Sequence, residues 1–316
     1  MNWDNLVQYL VNGVTLGSVY ALIALGYSMV YGILKLLNFA HGEIFMVGAF
    51  AAYGVEQAFG GATNPAISIW LVMVLMILTA MTASAAMGVA VERFAYRPLR
   101  TAPRIAPLIS ALGVSFFLQY SAQLLFGAQH KTYNAFVWGA GNAFIGPLFD
   151  PAKGLNVGPL HVSLLRLIII ALAIAMMIGL TLFIGRTKVG KAMRATSFDR
   201  EAAAMMGIDV DRVIVVTFVI GSALAGAAGV MFGLRADVYP LMGFQTGLKA
   251  FTAAVIGGIG SMPGAMLGGL VLGIAESLTQ GYVSTQWSDL VVFSILIAFM
   301  LVRPSGILGK ADIRKV

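Results

Sequence analysis

Cysteine is absent from the 316 residues, which excludes disulfides, thiolate metal sites and thiol chemistry. Charge is scarce, at 10% Asp, Glu, Lys and Arg, against about 25% in soluble globular domains. Only three histidines occur (His41, His130 and His161), they are scattered, and no H-E-x-x-H zinc motif is present. No G-x-x-x-x-G-K-[ST] phosphate loop occurs, so ATP is not bound here by that means. No nucleophile and base stand in a catalytic pattern, and the chain is not read as an enzyme. The formal net charge of +7 does not point to nucleic acid, because the basic residues sit in short loops flanking apolar runs.

What fills the chain is apolar: 59% hydrophobic residues, with a mean hydropathy of +0.89. Repeated runs near 20 residues make it a polytopic helical membrane protein. A β-barrel is excluded because these runs do not alternate polar and apolar residues. Spans are expected at 6–31, 41–58, 67–90, 105–126, 163–184, 212–234 and 286–302, with a broken apolar stretch at 244–280. The fold class is thus an all-α transmembrane bundle of about 7–9 segments, a single transmembrane domain over 1–316. The first run is too long, and lacks a basic segment before it, for a cleavable leader to be expected.

Basic residues set the orientation. One set of loops holds Lys35; Arg93, Arg97, Arg100 and Arg104; Arg186, Lys188, Lys191, Arg194, Arg200 and Arg212; and Arg303, Lys310, Arg314 and Lys315. The other side, or the spans, keeps only Lys131, Lys153, Arg166, Arg235 and Lys249. The positive-inside rule makes the first set cytoplasmic, the amino terminus outside and the carboxyl terminus inside. The Gly-, Pro- and Asn-rich loop 127–160 then lies outside the cell, and the charged loop 186–212 in the cytoplasm. Lys249 and Arg166 are expected near the outer surface, snorkelling.

Polar residues within apolar runs are candidates for a translocation route, since they are costly at membrane depth. Asn38, His41 and Glu43 open the second run. They read either as a gate or as an interfacial turn capped by Asn38 and wetted by headgroups. His41 and Glu43, two residues apart, point in different directions on one helix, which argues against a shared metal. Ser115, Gln119 and Gln123 make an i, i+4, i+8 stripe that must face protein or water. Glu276 stands in an apolar helix with no visible partner.

At the centre of 244–280, GGIGSMPG breaks any continuous helix. It reads either as a tight hairpin or as the meeting of two half-helices of the kind that build transporter sites. Gly260, Gly264 and Gly268, the row Gly221, Ala225, Gly229 and Gly233, and Gly13, Gly17 and Ala21 favour close helix packing.

In the charged loop, SFDREAAAMMGID offers Ser197 or Asp199 as an N-cap and Gly207 as a helix stop. Glu201-Ala202-Ala203-Ala204-Met205-Met206-Gly207 matches E-A-A-x-x-x-G and resembles the coupling-loop motif of ABC-importer permeases. The later Ile-x-Leu-Pro of that motif is not met, since VIVVTFVIG has no proline. GVTLGSVYALIALGYSMVYGILKLLNFAHGEIFMVGAF, GKAMRATSFDREAAAMMGID, SALAGAAGVMFG, FTAAVIGGIGSMPGAMLGG and VRPSGILG together resemble the permeases of high-affinity branched-chain amino acid ABC importers, specifically the smaller of the two permease types.

The resemblance implies a heterodimer with a sister permease, two cytoplasmic ATP-binding subunits and a periplasmic binding protein in a bacterial inner membrane. It implies ATP and Mg on the partner ATPases and no cofactor on this chain. Glu201, Ala202, Ala203 and Gly207 would be the ATPase-coupling positions. Relatives of the same build that take up urea, amides or other amino acids are the nearest alternative. An ion-coupled secondary transporter, motivated by Glu43, Glu276 and the broken stretch, would need no such loop. A channel is disfavoured because no repeated pore-lining filter is visible.

Overall fold

The computed structural model describes residues 3–59, 69–100, 102–103, 105–133, 154–157 and 160–309. Among these, nine helices build the bundle: α1 Trp3–Leu34, α2 His41–Ala58, α3 Ile69–Val91, α4 Ile105–Phe126, α5 Leu164–Arg186, α8 Val210–Gly233, α9 Met242–Gly257, α10 Met262–Tyr282 and α11 Ser288–Val302. Two short ones, α6 Lys188–Phe198 and α7 Arg200–Met205, stand in the charged loop. A hairpin of β1 (Gly154–Val157) and β2 (Leu160–Ser163) leads into α5. Apolar runs become helices because only internal hydrogen bonds satisfy a backbone surrounded by lipid.

Among the described residues, seven helices are long and apolar enough to cross a membrane: Asn5–Leu34, Trp70–Leu99, Ile105–Phe126, Leu164–Arg186, Val210–Gly233, Met262–Tyr282 and Thr285–Val302. The expected span at 41–58 is not among them. Its helix is there, but His41, Glu43, Glu56 and Gln57 dilute its apolar content, and it is buried in the bundle instead of facing lipid. The broken stretch supplies the seventh span through α10. Its other half, α9, has 16 residues, about 24 Å at 1.5 Å per residue.

Small residues set the packing. α1 runs antiparallel to α10, and a Cβ on Gly13 would stand 2.7 Å from Ile274 Cα, one on Gly17 2.8 Å from Leu270 Cα. Such contacts permit backbone-to-backbone approach. Gly221 meets Gly26, Gly229 meets Phe45 and Ala49, and Gly233 takes the ring of Tyr133. Gly264 and Gly268 face Gly257 and Ala253, so α9 and α10 form a tight hairpin. Gly258 (φ +104°) and Gly260 (φ +89°) make its turn possible, in the left-handed region that favours glycine. The segment after α11 then folds back: Ile307 N and Leu308 N donate to Ile256 O at 2.8 Å and Gly257 O at 3.0 Å, closing the end of α9.

Of the loop 127–160, the positions 134–153 and 158–159 lie outside the described residues. Lys131 pairs in a bridge with Val238, and Thr132 Oγ1 donates to Asp237 at 2.7 Å. The loop therefore begins against the connection from α8 to α9.

Candidate functional site

The first polar cluster forms where the chain leaves α1. Lys35 takes φ +54°, and the next five residues lead back into the bundle to start α2 at His41. Asn38, His41 and Glu43 are 2%, 1% and 0% exposed. The wetted interfacial turn is thereby overturned: neighbouring helices close over the three side chains. Nor does Asn38 cap α2. Ala40 holds that position without a side-chain bond, while Asn38 Oδ1 accepts from Tyr96 Oη at 3.2 Å.

Each side chain faces a different wall, as their spacing requires. The His41 ring stands edge-on to Tyr27 with centroids 4.8 Å apart and fills the space a Cβ on Gly26 would take. Glu43 Oε1 accepts from Ser115 Oγ at 3.1 Å. Behind it Gly42 lies against Gly243 and Gly247 of α9, with no side chain between the two backbones. Asn38 Nδ2, His41 Nε2 and Glu43 Oε2 have no hydrogen-bond partner among the described residues. No group of three His, Asp or Glu that could hold a metal occurs among the described residues.

The stripe on α4 divides along its length. Ser115 serves Glu43, Gln119 is buried, and Gln123 is exposed on this chain. Glu276 gains partners that the sequence hides. Its carboxylate accepts from Tyr20 Oη at 2.8 Å, Lys249 Nζ at 2.7 Å and Gln280 Nε2 at 3.2 Å. The same ammonium reaches Asp289 at 2.7 Å. Lys249 therefore does not snorkel alone: it joins α9 to α10 and α11.

The charged loop is a capped pair of helices. Thr187 Oγ1 accepts from Gly190 N at 3.0 Å to start α6. Asp199 Oδ1 accepts from Glu201 N at 2.9 Å and Ala202 N at 3.0 Å to start α7. Gly207, at φ +81°, ends it, with Ile208 N closing back on Ala203 O at 3.1 Å in a Schellman arrangement. Of the coupling positions read from the sequence, Glu201 and Gly207 are exposed, Ala202 is half-buried and Ala203 is buried beneath α7. The outward face instead presents Phe198, Met205 and Met206, at 94%, 82% and 83% exposure. The available sequence signal was three large apolar residues inside a charged loop.

Three sets of contacts tie this loop to the bundle. Arg194 donates to Ile184 O at the end of α5. Arg200 Nε donates to Ile33 O at the end of α1 at 2.8 Å, and its Nη2 donates to the same oxygen. Asp211, opening α8, receives Arg97 at 2.8 Å and also Arg100, which in turn holds the buried Glu92. Burial, and then the neighbouring Arg100, pull the Arg200 pKa down from its ordinary value, yet a guanidinium remains charged.

Apolar helices of spanning length around an enclosed polar cluster, with a capped, exposed loop at one end, define a polytopic helical membrane protein of the permease class. The chain belongs to the family described as the permease component of the branched-chain amino acid transport system, whose model matches residues 9–300. It is 42% identical over 317 residues to the high-affinity branched-chain amino acid transport system permease protein LivH of Escherichia coli, covering 98% of this chain and 97% of that one. It is likewise 42% identical over 311 residues to BraD of Pseudomonas aeruginosa, covering 98% of each. LivM, a second permease protein of the Escherichia coli system, is 25% identical over 93% of this chain and 68% of its own. No solved structure matches the chain.

Proposed function

We propose that this chain is the smaller permease subunit of an ATP-driven importer that moves branched-chain amino acids across a bacterial inner membrane by alternating access. Its partners are a sister permease, two cytoplasmic ATPases and a periplasmic binding protein. ATP and Mg sit on the ATPases, and this chain holds neither. Loop 186–212 faces the cytoplasm, the amino terminus lies outside and the carboxyl terminus inside, following the bias of basic residues.

The observation that carries this reading is the capped, exposed loop at the charged end. Phe198, Met205 and Met206 around Glu201 form an apolar face that no other described residue covers, as a docking element for a groove would have. ATP binding draws the two ATPases together, and the docked loops carry that motion to the helix ends. Asn38, His41, Glu43 and Glu276 are sealed within this chain. They therefore act on the route by fixing where α2 and α10 stand, until α2 and α9 part at Gly42 and Gly243. Ser115, Gln119 and Gln123 lead from that cluster to the surface, where a route shared with the sister permease would run. An aliphatic amino acid needs mostly apolar walls with a few polar groups for its zwitterion.

Co-purification of the tagged chain from its native membrane, followed by mass spectrometry and reconstituted uptake of labelled leucine, tests the reading. Recovery of two ATPases and a sister permease, with uptake that needs ATP, is expected. Leucine uptake driven by an ion gradient with no ATPase recovered would sink it.

A further inference from the structure

Arg200 joins the charged loop to the longest helix of the bundle. α1 has 32 residues and is the most enclosed of the spans, 94% of its apolar window being buried. Its last carbonyls have no intrahelical partner and carry the negative end of the helix dipole. The Arg200 guanidinium takes up Ile33 O through both Nε and Nη2. Arg200 makes no ion pair with a carboxylate among the described residues, so its charge is committed to that helix end.

The neighbouring tie differs in kind. Arg194 and Ile184 are ten residues apart and brace a single turn, whereas Arg200 and Ile33 are 167 residues apart and join two distant parts of the chain. Arg200 is also the first residue of α7, rigidly placed by the Asp199 cap on the two amides that follow it. On its other side α1 is locked by backbone contact to α10, through Gly13 and Gly17, and to α8, through Gly26. The route from α7 to the core therefore runs through this side chain.

Resting on the coupling role assigned above to the loop, we propose that Arg200 is the positioning residue that transmits movement of the docked loop to α1, and through α1 to α10. The test uses the full importer in proteoliposomes with its binding protein and leucine, reading uptake per ATP hydrolysed for wild type, R200A and R200K. R200A is expected to lower that ratio at least tenfold with the ATPases still bound. R200K, which keeps the charge but loses the forked contact, should fall between it and wild type.

Tethering supplies an independent arm. The chain has no cysteine of its own, so R200C/K35C joined by a short bis-maleimide should regain uptake per ATP that R200C alone lacks. A wild-type ratio in both R200A and R200K overturns the proposal. So does failure of R200A to assemble while R200K couples fully, which would leave Arg200 a folding role only. A wild-type chain that binds no ATPase would instead overturn the assigned function, so the two failures are distinguishable.

Discussion

The enclosed polar cluster at the start of α2 and the charged loop at the bundle's end use similar residue types under opposite conditions. In the cluster Asn38, His41 and Glu43 are sealed, and each keeps one polar atom without a partner among the described residues. At the loop's end Asp211 meets Arg97, from the basic segment after α3, at 2.8 Å while about half of each side chain remains open to solvent. Enclosed groups interact in a low dielectric, where a partner gained or lost matters greatly. Open ion pairs are screened and contribute little. The interior therefore sets stability, while the loop sets position: its contacts decide where helices are held more than how firmly the bundle folds.

The largest effect should come from stranding an enclosed charge. Lys249→Met removes the ammonium from Glu276, whose side chain is 4% exposed, and breaking such a pair typically costs about 3–5 kcal/mol. Loss of Tm in detergent should be large, and K249M/E276L should recover most of it, since the only carboxylate then left without Lys249 is Asp289, which is 68% exposed. A double variant no more stable than K249M would show that the interior does not follow this rule. A smaller effect is expected where backbones touch. Gly243→Val forces a side chain between α9 and Gly42, and overpacking of this kind costs about 1–3 kcal/mol. Gly113→Ala on α4 meets open space and should gain about 0.5–1 kcal/mol from helix propensity. Equal responses of the two glycines in a thermal melt would remove the distinction between close approach and a bare helix face.

How far the sequence revealed this division depended on how local the cause was. α4, expected over 105–126, is Ile105–Phe126, because Gly127 at φ +81° ends it by its own backbone. Asp199 and Gly207 were legible as cap and stop for the same reason. Glycine rows told which faces pack, since a missing side chain has one spatial meaning in a helix. Burial of the α2 start was not legible: polar residues opening an apolar run look wetted until other helices are seen to cover them. Lys249 and Glu276 lie 27 residues apart, and only the turn of the α9–α10 hairpin brings them together. Periodicity also failed on α7, a helix of six residues being too short to show that Ala203 points inward and Met205 outward.

The sharpest separation of the two regions comes from the smallest change. Asp211 lies in a network of four charged side chains, which by number alone would look as important as the Lys249 cluster. Its carboxylate is 52% exposed, however, while Glu92 behind it is 1% exposed. Asp211→Asn leaves Arg100 bound to Glu92, so the enclosed carboxylate keeps its cation and only solvent-open attractions are lost. The expected cost is below about 1 kcal/mol, and it should fade as salt rises, because screening weakens exposed pairs most. Arg100→Met in the same melts should cost more and resist salt, since it strands Glu92. Were D211N to destabilise as strongly as R100M at high salt, enclosure would not be what ranks these charges, and the loop would have to be counted with the core.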